Sequence, residues 1–167
     1  MKPALFVSDL HLAPSRPAAV GAFHAWARGP AREASALYVL GDLFDAWIGD
    51  EQVREPFTRA IVASLHAIAD AGVPVAVMHG NRDFLLGERF ARAAGATLLP
   101  ERIVVEAGGV PTLLMHGDEL CTDDLAYQKY RAWSRDRLRQ RRFLSLPWPV
   151  RRAFAAWLRR KSRSANR

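Results

Sequence analysis

Cysteine is almost absent from this chain. There is one, Cys121, so no disulfide can form within the chain, and a reducing compartment such as the cytosol is expected. Long apolar runs are missing as well. None approaches the roughly 18 uninterrupted apolar residues that a membrane span needs. The start, Met1-Lys2-Pro3-Ala4, leads straight into a short apolar segment with no small-residue cleavage site after it, which argues against a signal peptide. No internal repeat and no low-complexity linker is visible. The most uneven shortage is of acid: residues 125–167 hold a single acidic residue, Asp136, against 14 Lys and Arg. Residues 1–124 hold 16 Asp and Glu against 10 Lys and Arg, so the net charge of +7 averages two opposite surfaces. An acidic body would suit cations, and a basic tail would suit nucleic acid, an anionic membrane or a phosphate-rich substrate.

What is present is a globular composition: 167 residues, half of them hydrophobic, enough for one domain with a sizeable core. Four apolar runs share a habit. Ala4–Ser8 ends in Asp9-Leu10-His11, and Ala36–Leu40 in Gly41-Asp42-Leu43-Phe44-Asp45. Val75–Met78 ends in His79-Gly80-Asn81-Arg82-Asp83, and Leu113–Met115 in His116-Gly117-Asp118. Open α/β sheets place ligands at the carboxyl ends of their strands, so these four ends predict one site with Asp42 as its hub. Asp9 and His11, two apart, face the same way on an extended segment. Asp42 has two carboxylate oxygens and could bridge two ions. With the amide oxygen of Asn81 and the imidazole of His116, this donor set suits manganese, iron or zinc better than calcium. Each piece alone is weak: an Asp-x-His is mostly chance, Gly-Asp is as often a turn, and a lone His is usually a satisfied core residue. Their joint order along four predicted strands carries the signal.

The apolar spacing predicts strands at 4–8, 36–40 and 73–78 and helices at about 20–28, 55–71 and 87–94. Strands at 103–106 and 110–115 flank Gly108-Gly109, a hairpin signal. That order predicts an α/β layered fold with a mixed sheet. Beyond residue 124 the pattern becomes helical and rich in Arg and aromatics, at 125–142 and 149–161. The domain reading is therefore a core at 1–124 and a basic, aromatic-rich helical lid at 125–167. The lid's Trp133, Phe143, Trp148, Phe154 and Trp157 could line an acyl-chain groove or simply pack as a hairpin core. Cys121 is expected to be a small buried residue rather than a ligand. Asp45, Asp50 and Asp118 are read as residues that orient ligands or form turns.

Asp9-x-His11, Gly41-Asp42, Gly80-Asn81-Arg82-Asp83 and His116-Gly117-Asp118 resemble the calcineurin-like metallophosphoesterases. The longer strings Gly41–Asp50, His79–Gly87 and Met115–Asp124 resemble the UDP-2,3-diacylglucosamine hydrolase family within them, and the resemblance spans essentially the whole chain. It implies an α/β/β/α sandwich with a C-terminal helical lid. The implied reaction is two-metal hydrolysis of the pyrophosphate of UDP-2,3-diacylglucosamine, giving 2,3-diacylglucosamine 1-phosphate and UMP in lipid A synthesis. It implies Mn2+ as the metal and a monomer working at the cytoplasmic, anionic face of the inner membrane. By position, Asp9, His11 and Asp42 would hold one ion, and Asp42, Asn81 and His116 the other. Asn81 and Arg82 would touch the substrate phosphate, and Asp124, Ser162 and Asn166 would face the substrate. Arg82 stands where many metallophosphoesterases have His. Guanidinium donates no proton near neutrality, which suits a leaving group that needs none; the plain reading is a surface Arg paired with Asp83.

The chain departs from the family in carrying no Gly-His-Thr-His segment, whose histidines complete the two metal spheres. His24, His66 and His79 have no matching context. The resemblance therefore implies a shortened sandwich without its last strands, weak metal binding and little activity for these 167 residues. The alternatives are another dinuclear phosphodiesterase or nuclease, and a basic nucleic-acid-binding module built on a dead site. The acidic strand ends argue against the last, because clustered carboxylates repel nucleic acid.

Overall fold

A computed structural model describes the backbone of residues 2–165 and the side chains of residues 2–156. The chain divides into two compact units, Met1–Leu120 and Cys121–Arg167. In the first, strands β1 (Ala4–Val7), β2 (Ala36–Leu40), β3 (Val75–Met78) and β4 (Ala96–Leu98) form one parallel sheet in the order β1-β2-β3-β4. Helices α1 (Pro17–Arg28), α2 (Pro56–Asp70) and α3 (Glu88–Ala94) make the crossovers. Parallel neighbours need such connections, and their constant hand puts the three helices on one face of a sheet ordered this way. Leu37 and Val39 face that layer together with Val75 and Val77, their partners in register. Ile61, Leu65 and Ile68 of α2, all fully buried, belong to the same core. The alternate residues are freer: Phe6 is 39% exposed and stacks on Tyr38 with ring centroids 5.1 Å apart. The β1 segment is thus covered on one face.

Strands β5 (Arg102–Ala107) and β6 (Val110–Met115) form the hairpin that Gly108-Gly109 signals, as a separate antiparallel pair. The expected mixture of strand directions is real but lies between two sheets, not within one. Strand β4 was not expected. It has three residues behind the left-handed Gly95, too short a run for any periodicity to register. Helix α1 begins at Pro17, three residues earlier than its apolar spacing predicts, because proline's fixed φ and missing N–H suit the first helical turn.

The second unit holds α4 (Leu125–Ser134), α5 (Arg137–Leu144) and α6 (Trp148–Ala165). Residues 125–142, expected as one helix, are two. Asp136 stops the first and caps the second, its carboxylate accepting from the Arg139 N–H at 2.8 Å. Arg151 is 2% exposed, its guanidinium lying 5.3 Å over the Trp148 ring and its Nε donating to the Leu146 carbonyl. Cys121 is exposed, not buried: it follows the short helical turn Asp118–Leu120 and leads into a loop, 121–124, whose residues are all exposed.

Candidate metal centre

In a parallel sheet every strand delivers its carboxyl end to one edge. Here the association continues past the strands. The N–H of Asp9 donates to the Gly41 carbonyl, that of His11 to Asp42 and that of Leu12 to Leu43. The chain after β1 is thereby laid along the chain after β2. Asp9, His11 and Asp42 all sit at positive φ, +55°, +46° and +54°. Left-handed backbone at non-glycine residues costs energy and persists where surrounding structure over-determines it.

Packing at this edge is backbone against backbone. A Cβ on Gly41 would lie 2.6 Å from the Gly80 Cα and 2.7 Å from His116 Nδ1, and Gly41 itself has φ +92°. A Cβ on Gly80 would overlap the Asp42 carboxylate and amide. The two glycines let the turns after β2 and β3 touch.

Asp42, 2% exposed, stands between two imidazoles. Its Oδ2 is 3.7 Å from His11 Nε2, and its Oδ1 is 3.9 Å from His116 Nε2. Asp9 Oδ1 lies 3.9 Å from His11 Nε2. These gaps are too wide for hydrogen bonds. They match two donors that each stand about 2.1 Å from a shared cation. Asp9, Asp42 and His116 each offer an atom within 4.8 Å of the others. The His116 tautomer follows from its partner. Nδ1 lies 2.8 Å from the Leu40 carbonyl, which can only accept, so the proton is on Nδ1 and the Nε2 lone pair faces Asp42.

Asn81 Oδ1 is buried with no hydrogen-bond partner, and so is His11 Nδ1. A buried amide oxygen without a donor is unusual and is what a cation ligand looks like before its ion is considered. Oxygen and imidazole donors together fit a divalent transition metal. Burial raises the Asp42 carboxyl pKa above its ordinary value, the Arg82 N–H opposes this, the nearby Asp83 charge adds to it, and His116 and His11 oppose it. A dication would reverse the balance.

The remaining candidates fall elsewhere. The Arg82 guanidinium is exposed, while its backbone N–H donates to Asp42 Oδ1 at 2.8 Å. The plain alternative, Arg82 paired with Asp83, is not seen among the described residues: the Asp83 carboxylate is fully buried among backbone N–H groups. Asp124 is an exposed N-cap of α4, its Oδ1 accepting from the Tyr127 N–H at 2.9 Å. The Ser162 side chain and Asn166 lie outside the described residues.

Two acids behind the site do more than their sequence context announced. Asp50 accepts from Trp47 Nε1 and from the N–H groups of Gly87, Arg89 and Phe90, capping α3 from some forty residues away. Asp83 accepts four backbone N–H bonds in the turns that carry Asp42 and Asn81. Only the Gly80-x-x-Asp83 spacing, an acid reaching back three residues to a backbone N–H, hinted at this. His79 Nε2 donates to the Leu86 carbonyl at 2.8 Å and closes the base of the same loop.

A sheet edge that gathers Asp, His and Asn donors in this order defines a metal-dependent phosphoesterase. The chain belongs to the calcineurin-like phosphoesterase family, whose model matches residues 2–163, and membership implies divalent metal ions. Within the family it is similar to UDP-2,3-diacylglucosamine hydrolases. It is 51% identical over 162 residues to those of Escherichia fergusonii and Shigella sonnei, covering 97% of this chain and 67% of each relative. Among solved structures, a nuclease of Pseudomonas putida aligns with 62% of this chain and 50% of its own, at 24% identity and a TM-score of 0.45, too slight a likeness to bear on function.

Proposed function

We propose that the chain hydrolyses the pyrophosphate of UDP-2,3-diacylglucosamine to UMP and 2,3-diacylglucosamine 1-phosphate, with Mn2+ as the working ion. The observation that carries this reading is the convergence of Asp9, His11, Asp42 and His116. The 51% identity to hydrolases named for that substrate gives the specificity. Asp9, His11 and Asp42 would hold one cation, and Asp42, Asn81 and His116 the second. When bound, such a pair supplies Lewis acidity at a phosphoryl oxygen and acidifies a water to near neutrality.

The chain's own groups do the rest. Asp42 presents one oxygen to each imidazole side, so a single carboxylate organises both halves of the centre. The Leu40 carbonyl holds the His116 proton on Nδ1 and keeps Nε2 free as a donor atom. The exposed Arg82 guanidinium supplies charge and hydrogen bonds to phosphoryl oxygens without giving up a proton. A water oxygen adds to one phosphorus as the bridging P–O bond breaks. The departing phosphate is already a stable anion, and the water's proton leaves to solvent. In the second unit, the basic helices and exposed Trp133, Leu138 and Phe154 suit an anionic lipid surface and an acylated substrate. This supports peripheral work at a membrane, and no helix among the described residues is long and apolar enough to cross one.

The test is UMP release from UDP-2,3-diacylglucosamine in detergent with Mn2+. Release by the unmodified chain should exceed the background set by Asp42→Ala, which removes the shared ligand. Nucleotide release from a nucleic acid or a cyclic nucleotide, with none from the UDP-linked lipid, would replace this reading with a phosphodiesterase or nuclease.

A further inference from the structure

We propose that Asp83 is the positioning residue of the centre: its buried carboxylate pins the 41–44 turn to the 80–83 turn and so sets the direction in which Asp42 presents its two oxygens. The inference rests on the reading of this edge as a dication site.

Asp83 is 0% exposed, so it meets neither substrate nor solvent. Its Oδ1 accepts from the N–H of Gly80 at 2.9 Å and of Asp42 at 3.2 Å. Its Oδ2 accepts from the N–H of Leu43 at 2.8 Å and of Phe44 at 3.3 Å. Three of these donors are consecutive residues, and the first of them is Asp42. An ionised carboxylate is the one side chain that can meet four donors with no hydrogen of its own in the way. The bonding is reciprocal. Asp83 holds the Asp42 backbone, and Asp42 Oδ1 in turn accepts from the N–H of Arg82, the residue before Asp83. Each acid thus fixes the backbone of the other's turn.

Such a clamp is needed at this point. Asp42 sits at φ +54°, a conformation that local preference disfavours. If the turn relaxed, the carboxylate would swing away from the two imidazoles it stands between. Close contact between Gly41 and Gly80 brings the turns together but does not orient them; four directional bonds do. Other groups near the centre do different work: His79 closes the loop base, and Asp50 caps α3.

The experiment compares Asp83→Asn with Leu65→Ala, a fully buried α2 residue outside the strand-end turns. Asparagine keeps the shape of Asp83 but replaces one acceptor oxygen with an NH2 that faces N–H donors. Three quantities are read on the full chain: the melting temperature, the Mn2+ affinity from the EPR signal of free ion, and amide hydrogen exchange in EDTA. Asp83→Asn should weaken Mn2+ binding about tenfold or more, as loss of a group supporting a metal ligand does. It should also speed exchange at Asp42, Leu43, Phe44 and Gly80 ahead of the other sheet amides. Leu65→Ala, with a comparable fall in melting temperature, should leave the Mn2+ affinity unchanged and speed exchange evenly across the sheet amides without singling out those four. Wild-type Mn2+ affinity in Asp83→Asn, whatever its melting temperature, would overturn the proposal. Should the unmodified chain take up no Mn2+, the dication reading fails instead. The clamp is then judged on exchange alone: selective loss at those four amides upholds it, and uniform loss sinks it. If Asp83→Asn does not fold, the same amides in the unmodified chain decide: exchange as slow as the β2 core upholds the clamp, and open-loop rates refute it.

Discussion

At Asp9 the needs of folding and of function part company. Its side chain is 57% exposed and its Oδ1 stands 3.9 Å from His11 Nε2, beyond hydrogen-bond reach, yet its backbone is held at φ +55°. A left-handed L-residue costs roughly 1–2 kcal/mol, less for Asp than for most, and glycine escapes it. Asp9→Gly is therefore expected to stabilise the metal-free chain by about 0.5 kcal/mol, the relieved strain of roughly 1 kcal/mol or more being partly offset by glycine's entropy loss of roughly 0.5–1 kcal/mol, while weakening its hold on Mn2+. Urea denaturation in EDTA measures the first effect and a metal titration the second. A lower urea midpoint for Asp9→Gly would show that strain at Asp9 is not what the fold resists. His11 and Asp42 share the same backbone region, so three proposed ligands are held where only the surrounding hydrogen bonds keep them.

Among the elements, α3 depends on a distant residue. Its own first position, Gly87, offers no side-chain cap, and the orphan N–H groups of its first turn are met by Asp50 across the chain. The same carboxylate takes the Trp47 indole N–H, and Trp47, Phe44 and Phe90 form an aromatic cluster with centroids 4.9–6.1 Å apart. Hydrogen bonds to a charged acceptor are worth roughly 1.5–3 kcal/mol apiece and are not additive. Asp50→Ala is expected to cost about 3 kcal/mol in total, read as a drop in the urea midpoint, with Asp50→Asn in between. A loss below about 0.5 kcal/mol would mean that water replaces the cap at no cost. In the second unit Asp136 does a similar task for α5, so the one acid of residues 125–167 serves a helix end instead of offsetting the surrounding positive charge.

On the scale of the whole molecule, the uneven charge is the feature most open to test. Residues 125–167 carry 14 cations and one acid. Juxtaposed to an anionic leaflet, each Lys or Arg contributes about 1 kcal/mol, and the attraction fades within a Debye length. The chain should therefore sediment with phosphatidylglycerol vesicles in dilute buffer and come off them in about 0.5 M NaCl. It should ignore neutral phosphatidylcholine vesicles. Binding that is indifferent to salt and to lipid charge would point to insertion of the exposed aromatics instead.

Much of the architecture could be read from residue order alone. Each of β1, β2 and β3 is an apolar run followed by a helix, and each of these runs leads into residues with metal-ligand chemistry, so the edge that gathers Asp9, His11, Asp42 and Asn81 was legible. The hairpin ending in His116 was signalled by its glycine pair. What escaped was of another kind. The β4 edge strand is too short for a pattern. The break at Asp136, a residue suited to a helix cap, is masked by the Arg-rich helical run on either side of it. The duties of Asp50 and Asp83 are contracts with backbone N–H groups about forty residues away. Side-chain type and spacing are properties of the chain, so strands, helices and donor atoms are written in it. Which backbone N–H a buried carboxylate meets, and which way a left-handed turn aims its oxygens, exist only once distant turns are pressed together.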